Sequence, residues 1–87
     1  MAEYSIYFRE LVEKDLRVIP KRVLKNILQR ISSLATEPRP VDCEKLTGQE
    51  RYRVRQGRYR IVYSIQDNEK TVWIVKVGHR REVYRKG

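Results

Sequence analysis

Tyr52-Arg53-Val54-Arg55-Gln56-Gly57-Arg58-Tyr59-Arg60-Ile61 alternates apolar and basic residues on either side of Gln-Gly. The pattern predicts a β-hairpin closed by a two-residue turn. With Gln56 and Gly57 as that turn, Arg55 falls opposite Arg58 and Arg53 opposite Arg60. Residues paired across an antiparallel ladder share a face, so four guanidinium groups are expected on one side. Val54 with Tyr59 and Tyr52 with Ile61 take the other. Like charges set directly opposite each other destabilise a sheet, and no acid intervenes between Arg51 and Gln66 to relieve them. Such a face calls for an anionic partner, and a phosphate backbone fits it.

Outward from the hairpin, the pattern supplies the remaining elements. Glu3 to Phe8 alternates, with Tyr4, Ile6 and Phe8 on one face, as a first strand does. Arg9 to about Arg17 reads as a short helix turning Leu11, Val12 and Leu16 inward. Pro20 suits a helix start, and Val23, Leu24, Ile27, Leu28, Ile31 and Leu34 recur at helical spacing up to about Thr36. Lys21, Arg22, Lys25 and Arg30 fall on the outer side as a solvated surface. The residue before Pro38 is pushed out of the α region, so a connection follows to about Gly48. Strands are expected at Glu50–Arg55 and Arg58–Gln66, a turn at Asp67–Lys70, and a central strand at Thr71–Gly78, whose near-continuous apolar run suits burial. A four-residue turn puts Trp73 with the arginines, whereas a bulge at the turn puts it in the core. The expected architecture is α+β, a single domain over residues 1–87 in the order β-α-α-β-β-β. An antiparallel meander carries two helices on one face and leaves the other open.

Composition narrows the function. The net charge of +9 is unevenly spread: residues 1–50 hold 9 basic and 8 acidic residues, residues 51–87 hold 11 and 3. The basic half has the charge footprint of a nucleic-acid- or ribosome-binding surface. One cysteine and one histidine rule out an intrachain disulfide and a Cys/His zinc site. Cys43, between Asp42 and Glu44, has no neighbour that would activate a thiol. The start Met-Ala-Glu-Tyr-Ser lacks the basic and apolar regions of a signal peptide, and no apolar run spans a bilayer. A soluble cytoplasmic protein is expected, with no metal, cofactor or membrane partner.

The motifs of Ser-His-Asp relays, Walker loops and metal clusters are missing. What remains is Arg53, Arg55, Arg58, Arg60, Arg80 and Arg81 with His79 and Tyr84. Such groups grip a phosphate and stabilise added negative charge on it. They suit plain RNA binding and equally RNA cleavage by the substrate's own 2′-hydroxyl. Arginine keeps its proton, so His79 and Tyr84 are the candidates for proton movement.

Lys45-Leu46-Thr47-Gly48, Tyr52-Arg53-Val54-Arg55, Gly57-Arg58-Tyr59-Arg60-Ile61-Val62-Tyr63 and Val77-Gly78-His79-Arg80-Arg81-Glu82-Val83-Tyr84 follow one another at spacings that resemble the RelE branch of the RelE/ParE toxin superfamily. The resemblance covers nearly the whole chain. It implies the toxin of a type II toxin–antitoxin pair, which cleaves mRNA in the ribosomal A site without a metal. It also implies an acidic RelB-like antitoxin, with ribosome and mRNA as the other partners. By position, Arg60 matches the arginine that stabilises the phosphate, and Arg80 the one that assists the leaving group. Tyr84 matches the tyrosine that stacks on a base or moves a proton. Arg53 and Arg55 stand where RelE enzymes carry lysines, one of them suggested as the base. That difference leaves the base to His79 or Tyr84, or leaves catalysis to orientation and electrostatics. Arg58, Arg81, His79, Arg51 and Lys76 are the further expected RNA contacts. Two other readings stay open: a ParE-like gyrase inhibitor on the same fold, and a basic RNA-binding module without catalysis.

Overall fold

The structure, a computed structural model, describes residues 3–46 and 50–79. The expectations placed on Arg80, Arg81 and Tyr84 lie outside them. The chain runs β1 (Ser5–Phe8), α1 (Val12–Arg17), α2 (Lys21–Ser33), β2 (Glu44–Lys45), β3 (Arg51–Gln56), β4 (Tyr59–Gln66), a 3-10 turn (Asp67–Glu69) and β5 (Thr71–His79). The five strands form one sheet in the order β1-β5-β4-β3-β2.

The meander of β3, β4 and β5 is antiparallel as expected, but β1 lies parallel beside β5, which makes the sheet mixed. Two helices separate β1 from the strands that follow it. The chain therefore returns at the far edge, where the unexpected two-residue β2 pairs with β3. Among the described residues no helix is long and apolar enough to cross a membrane.

Helix α1 begins three residues later than expected. The backbone N–H of Arg9 donates to Ile74 at 3.0 Å, which holds residue 9 in the ladder, and Leu11 is consequently exposed rather than inward. In α2 the Pro20 carbonyl accepts the N–H of Leu24 at 2.8 Å, so proline sits just ahead of the first turn, where its missing donor costs nothing. Ile27 and Ile31 of α2, with Leu34 just past its end, face the sheet, as does Val12 of α1. They meet Val54, Ile61, Tyr63, Val72, Ile74 and Val77 in one core. Tyr63 is fully buried, and its hydroxyl donates to the Pro38 carbonyl at 2.7 Å. Burial pushes its ionisation well above the ordinary value.

The hairpin turn is Gly57-Arg58, one residue later than the sequence suggested. Gln56 pairs with Tyr59, Arg55 with Arg60, Val54 with Ile61, Arg53 with Val62 and Tyr52 with Tyr63. The physical reason lies in Gly57, whose φ of 63° is what the first central position of a primed turn demands. Placing glycine second, after Gln56, would have forced that strain on a residue with a side chain if both central residues had φ > 0. The shift also joins Tyr52 and Tyr63 as a stacked pair 5.9 Å apart.

At the other end, Gln66 pairs with Thr71, so the 3-10 turn adds no bulge, and Trp73 stands opposite Ser64. The irregularity falls later, where Val62 pairs with Lys76 and Tyr63 with Ile74. Val75 is the extra residue, and it lets Ile74 and Val77 both face the core. The Asp67 carboxylate of this turn accepts from Arg39 at 3.0 and 3.2 Å and from the Tyr4 hydroxyl at 2.8 Å. Arg39 also lies 5.1 Å over the Tyr52 ring. This knot ties the start of β1 and the α2–β2 connection to the sheet.

Candidate nucleic-acid interface

Strand alternation sorts the basic residues once the register is known. Arg51, Arg53 and Arg55 of β3 share the face opposite the helices with Arg60, Val62 and Ser64 of β4 and with Trp73 and Lys76 of β5. One arginine pair, Arg55 with Arg60, is directly opposed, rather than two. Arg58 occupies the exposed turn and does not face Arg55. Arg60 is buried, between Arg55 on one side and Gly78, which has no side chain, on the other.

Arg53 is answered by a residue the sequence reading passed over. Glu44 stands beside it in the β2–β3 register and the two form an ion pair. The Glu44 carboxyl is held below its ordinary value chiefly by the hydrogen bond and charge of Arg53, with Arg55 and Arg60 adding to the effect. Three guanidinium groups thus act on one carboxylate. Asp42, Glu44, Arg53 and Arg55 line a cavity of about 220 Å³ there. Asp42 is itself taken by Arg30, which is half-buried rather than simply solvated. No sequence signal marks a two-residue strand inside a connection, so Glu44 had no visible partner.

Lys76 reaches back to Asp15 of α1 at 3.1 Å, and the other oxygen of Asp15 accepts the Val77 N–H at 3.3 Å. Strand β1 has ended by this point, so Asp15 closes the edge of β5 that it no longer covers. His79 lies on the opposite side of the sheet from Arg53, Arg55 and Arg60. It pairs with Tyr59 on the helix-facing side, its ring 5.6 Å from that tyrosine's. The two share a cavity of about 330 Å³ with Arg58 of the turn and with Val23, Asn26, Gln56 and Gly57. The described arginine face therefore holds guanidinium donors beside the carboxylates of Glu44 and Asp42, without the histidine expected there. Among the described residues no three His, Cys, Asp or Glu side chains gather as they would around a metal ion.

Comparisons with known proteins agree with this fold. Residues 6–84 match the family described as ParE toxin of type II toxin-antitoxin system, parDE. The chain is 33% identical to the toxin RelG of Mycobacterium tuberculosis, over 95% of this chain and 98% of that one. Its fold superimposes on the RelBE2 toxin–antitoxin complex of the same organism with a TM-score of 0.82, at 29% identity, covering 91% of this chain and all of the other. The archaeal RelE–RelB complex of Pyrococcus horikoshii gives a TM-score of 0.81 at 32% identity, over 90% and 96% of the two chains. The chain belongs to the RelE/ParE family, the toxins of type II toxin–antitoxin systems.

Proposed function

We propose that this toxin is a ribosome-dependent endoribonuclease that cuts mRNA in the ribosomal A site. The observation that carries the reading is the placement of Arg53, Arg55 and Arg60 on one sheet face, with Arg55 directly opposite Arg60 and Glu44 beside Arg53, because a phosphate placed there meets several guanidinium groups. In the reaction the mRNA 2′-hydroxyl attacks the adjacent phosphorus, the bond to the 5′-oxygen breaks, and a 2′,3′-cyclic phosphate remains. The 2′-proton leaves and the departing oxygen gains one. Arg55 and Arg60 stabilise the charge that gathers on the phosphorane. Arg80 and Tyr84, assigned by position alone, serve the leaving oxygen and the flanking base. Arginine is a poor base, so orientation of the substrate by the ribosome supplies much of the rate. Naked RNA is then a poor substrate. An acidic RelB-like antitoxin masks the basic face, which suits both the charge of this half and the antitoxin complexes of the solved relatives.

The test is primer extension on an mRNA in a bacterial translation extract. Wild type should cut at codon positions, and Arg60→Ala should abolish the cuts. Arg55→Ala, at an exposed position, runs beside it because Arg60 is buried. The match to the ParE model favours a second reading, inhibition of DNA gyrase. Intact mRNA together with loss of gyrase supercoiling would overturn the nuclease in its favour.

A further inference from the structure

Tyr7 and Trp73 are register partners on β1 and β5, with ring centroids 5.1 Å apart and planes tilted by 32°. The Arg9 guanidinium lies 4.7 Å from the centre of the Trp73 ring. Both rings point away from the core, and Tyr7 is 48% exposed. Large aromatic side chains ordinarily contribute most by burial, so a pair left on an open sheet face needs another use. Trp73 stands opposite Ser64 and Ser64 opposite Arg51. The cluster therefore shares the arginine face, about 13 Å along β4 from Arg60 at the usual rise per residue.

We propose that Tyr7, Arg9 and Trp73 form a platform on which an unpaired RNA base stacks, a few nucleotides from the phosphate held at Arg55 and Arg60. This rests on the reading of the arginine face as an RNA surface and adds to it the strand's direction across the sheet. Aromatic rings and guanidinium planes both stack bases, and a sheet face bearing aromatics among cations is a recurrent way to hold single-stranded RNA. A protein partner bound by charge alone would have no need of a ring pair with an arginine laid against it.

Trp73 is the chain's one tryptophan, so its fluorescence reports on the platform alone. The purified toxin is titrated with a 2′-O-methyl oligonucleotide of about ten nucleotides, a length within single-strand site sizes. A strand of equal length without bases serves as the charge-only probe, and anisotropy of end-labelled strands gives affinity. The base-bearing strand should quench Trp73 and the abasic strand should bind without quenching. Tyr7→Ala should weaken the base-bearing strand about tenfold and leave the abasic strand unaffected, while Tyr7→Phe retains binding. Equal binding of both strands with no fluorescence change would overturn the platform and leave the phosphate surface standing. Binding of neither strand would overturn the platform, while the nuclease reading stands or falls on the primer extension. Quenching by the cognate antitoxin but not by RNA would assign the rings to the protein partner and overturn the platform.

Discussion

Glu44 and the arginines around it set what a bound phosphate must do. A carboxylate paired with Arg53 has to be displaced before that guanidinium can serve an RNA oxygen, so the pair opposes binding while it keeps the face from repelling itself. Glu44→Gln should tighten RNA binding a few-fold, measured by anisotropy at fixed salt. Arg55→Ala in the same assay should lower the slope of log affinity against log salt by about one, as loss of a single phosphate contact does. An unchanged slope would remove Arg55 from the phosphate surface. Sequence alone exposed these arginines through their alternation. It could not expose Glu44, because an acid becomes part of a basic face only when the chain folds back along β3.

At the scale of elements, the hairpin turn and the free edge of β5 each depend on one residue. Gly57 has a φ of 63°, and a Cβ built there meets nothing within 4 Å. The cost of Gly57→Ala is thus conformational, about 1–2 kcal/mol, to be read from urea denaturation, and Arg58→Ala beside it should be near neutral. Equal, small effects of the two substitutions would show that Gly57 is not held in that conformation. Asp15→Ala withdraws an acceptor from the Val77 N–H and a partner from Lys76. A loss of about 1–3 kcal/mol is expected, the cost of leaving a partly buried donor unsatisfied. Hydrogen exchange at Val77 should quicken with it.

The whole molecule is small, and a domain of this length buries only about 60% of its unfolded surface. Polar ties between distant segments therefore matter more than they would in a larger core. Asp67 is held below its ordinary carboxyl value by Arg39 first and then by the Tyr4 hydroxyl. Asp42 is lowered by Arg30 and Glu44 by Arg53. A depressed folded-state value adds stability that is complete above the unfolded value, near 3.8 for Asp and 4.5 for Glu. That stability is lost as pH falls through the folded values. The melting temperature should thus decline as pH drops below about 4.5, and Asp67→Asn should show a shallower decline. An identical pH profile in that variant would mean the knot contributes nothing.

By itself the sequence determined the first strand, the two helices and the three meander strands, with the helical side of the sheet and the arginine-bearing side, but not β2. Each follows from local periodicity and turn chemistry, which act within a few residues. Tertiary structure alone decided the parallel place of β1, the pairing of β2 with β3, the side on which His79 lies and the meeting of Tyr7 with Trp73. Those contacts join residues far apart in the chain, and no local pattern encodes them. The one-residue shift of the hairpin belongs between the two. Gly57 announces a turn in the sequence, but whether it is the first or second central residue depends on the pairing of whole strands, where Tyr52 must meet Tyr63 and Val54 must meet Ile61 over the same core.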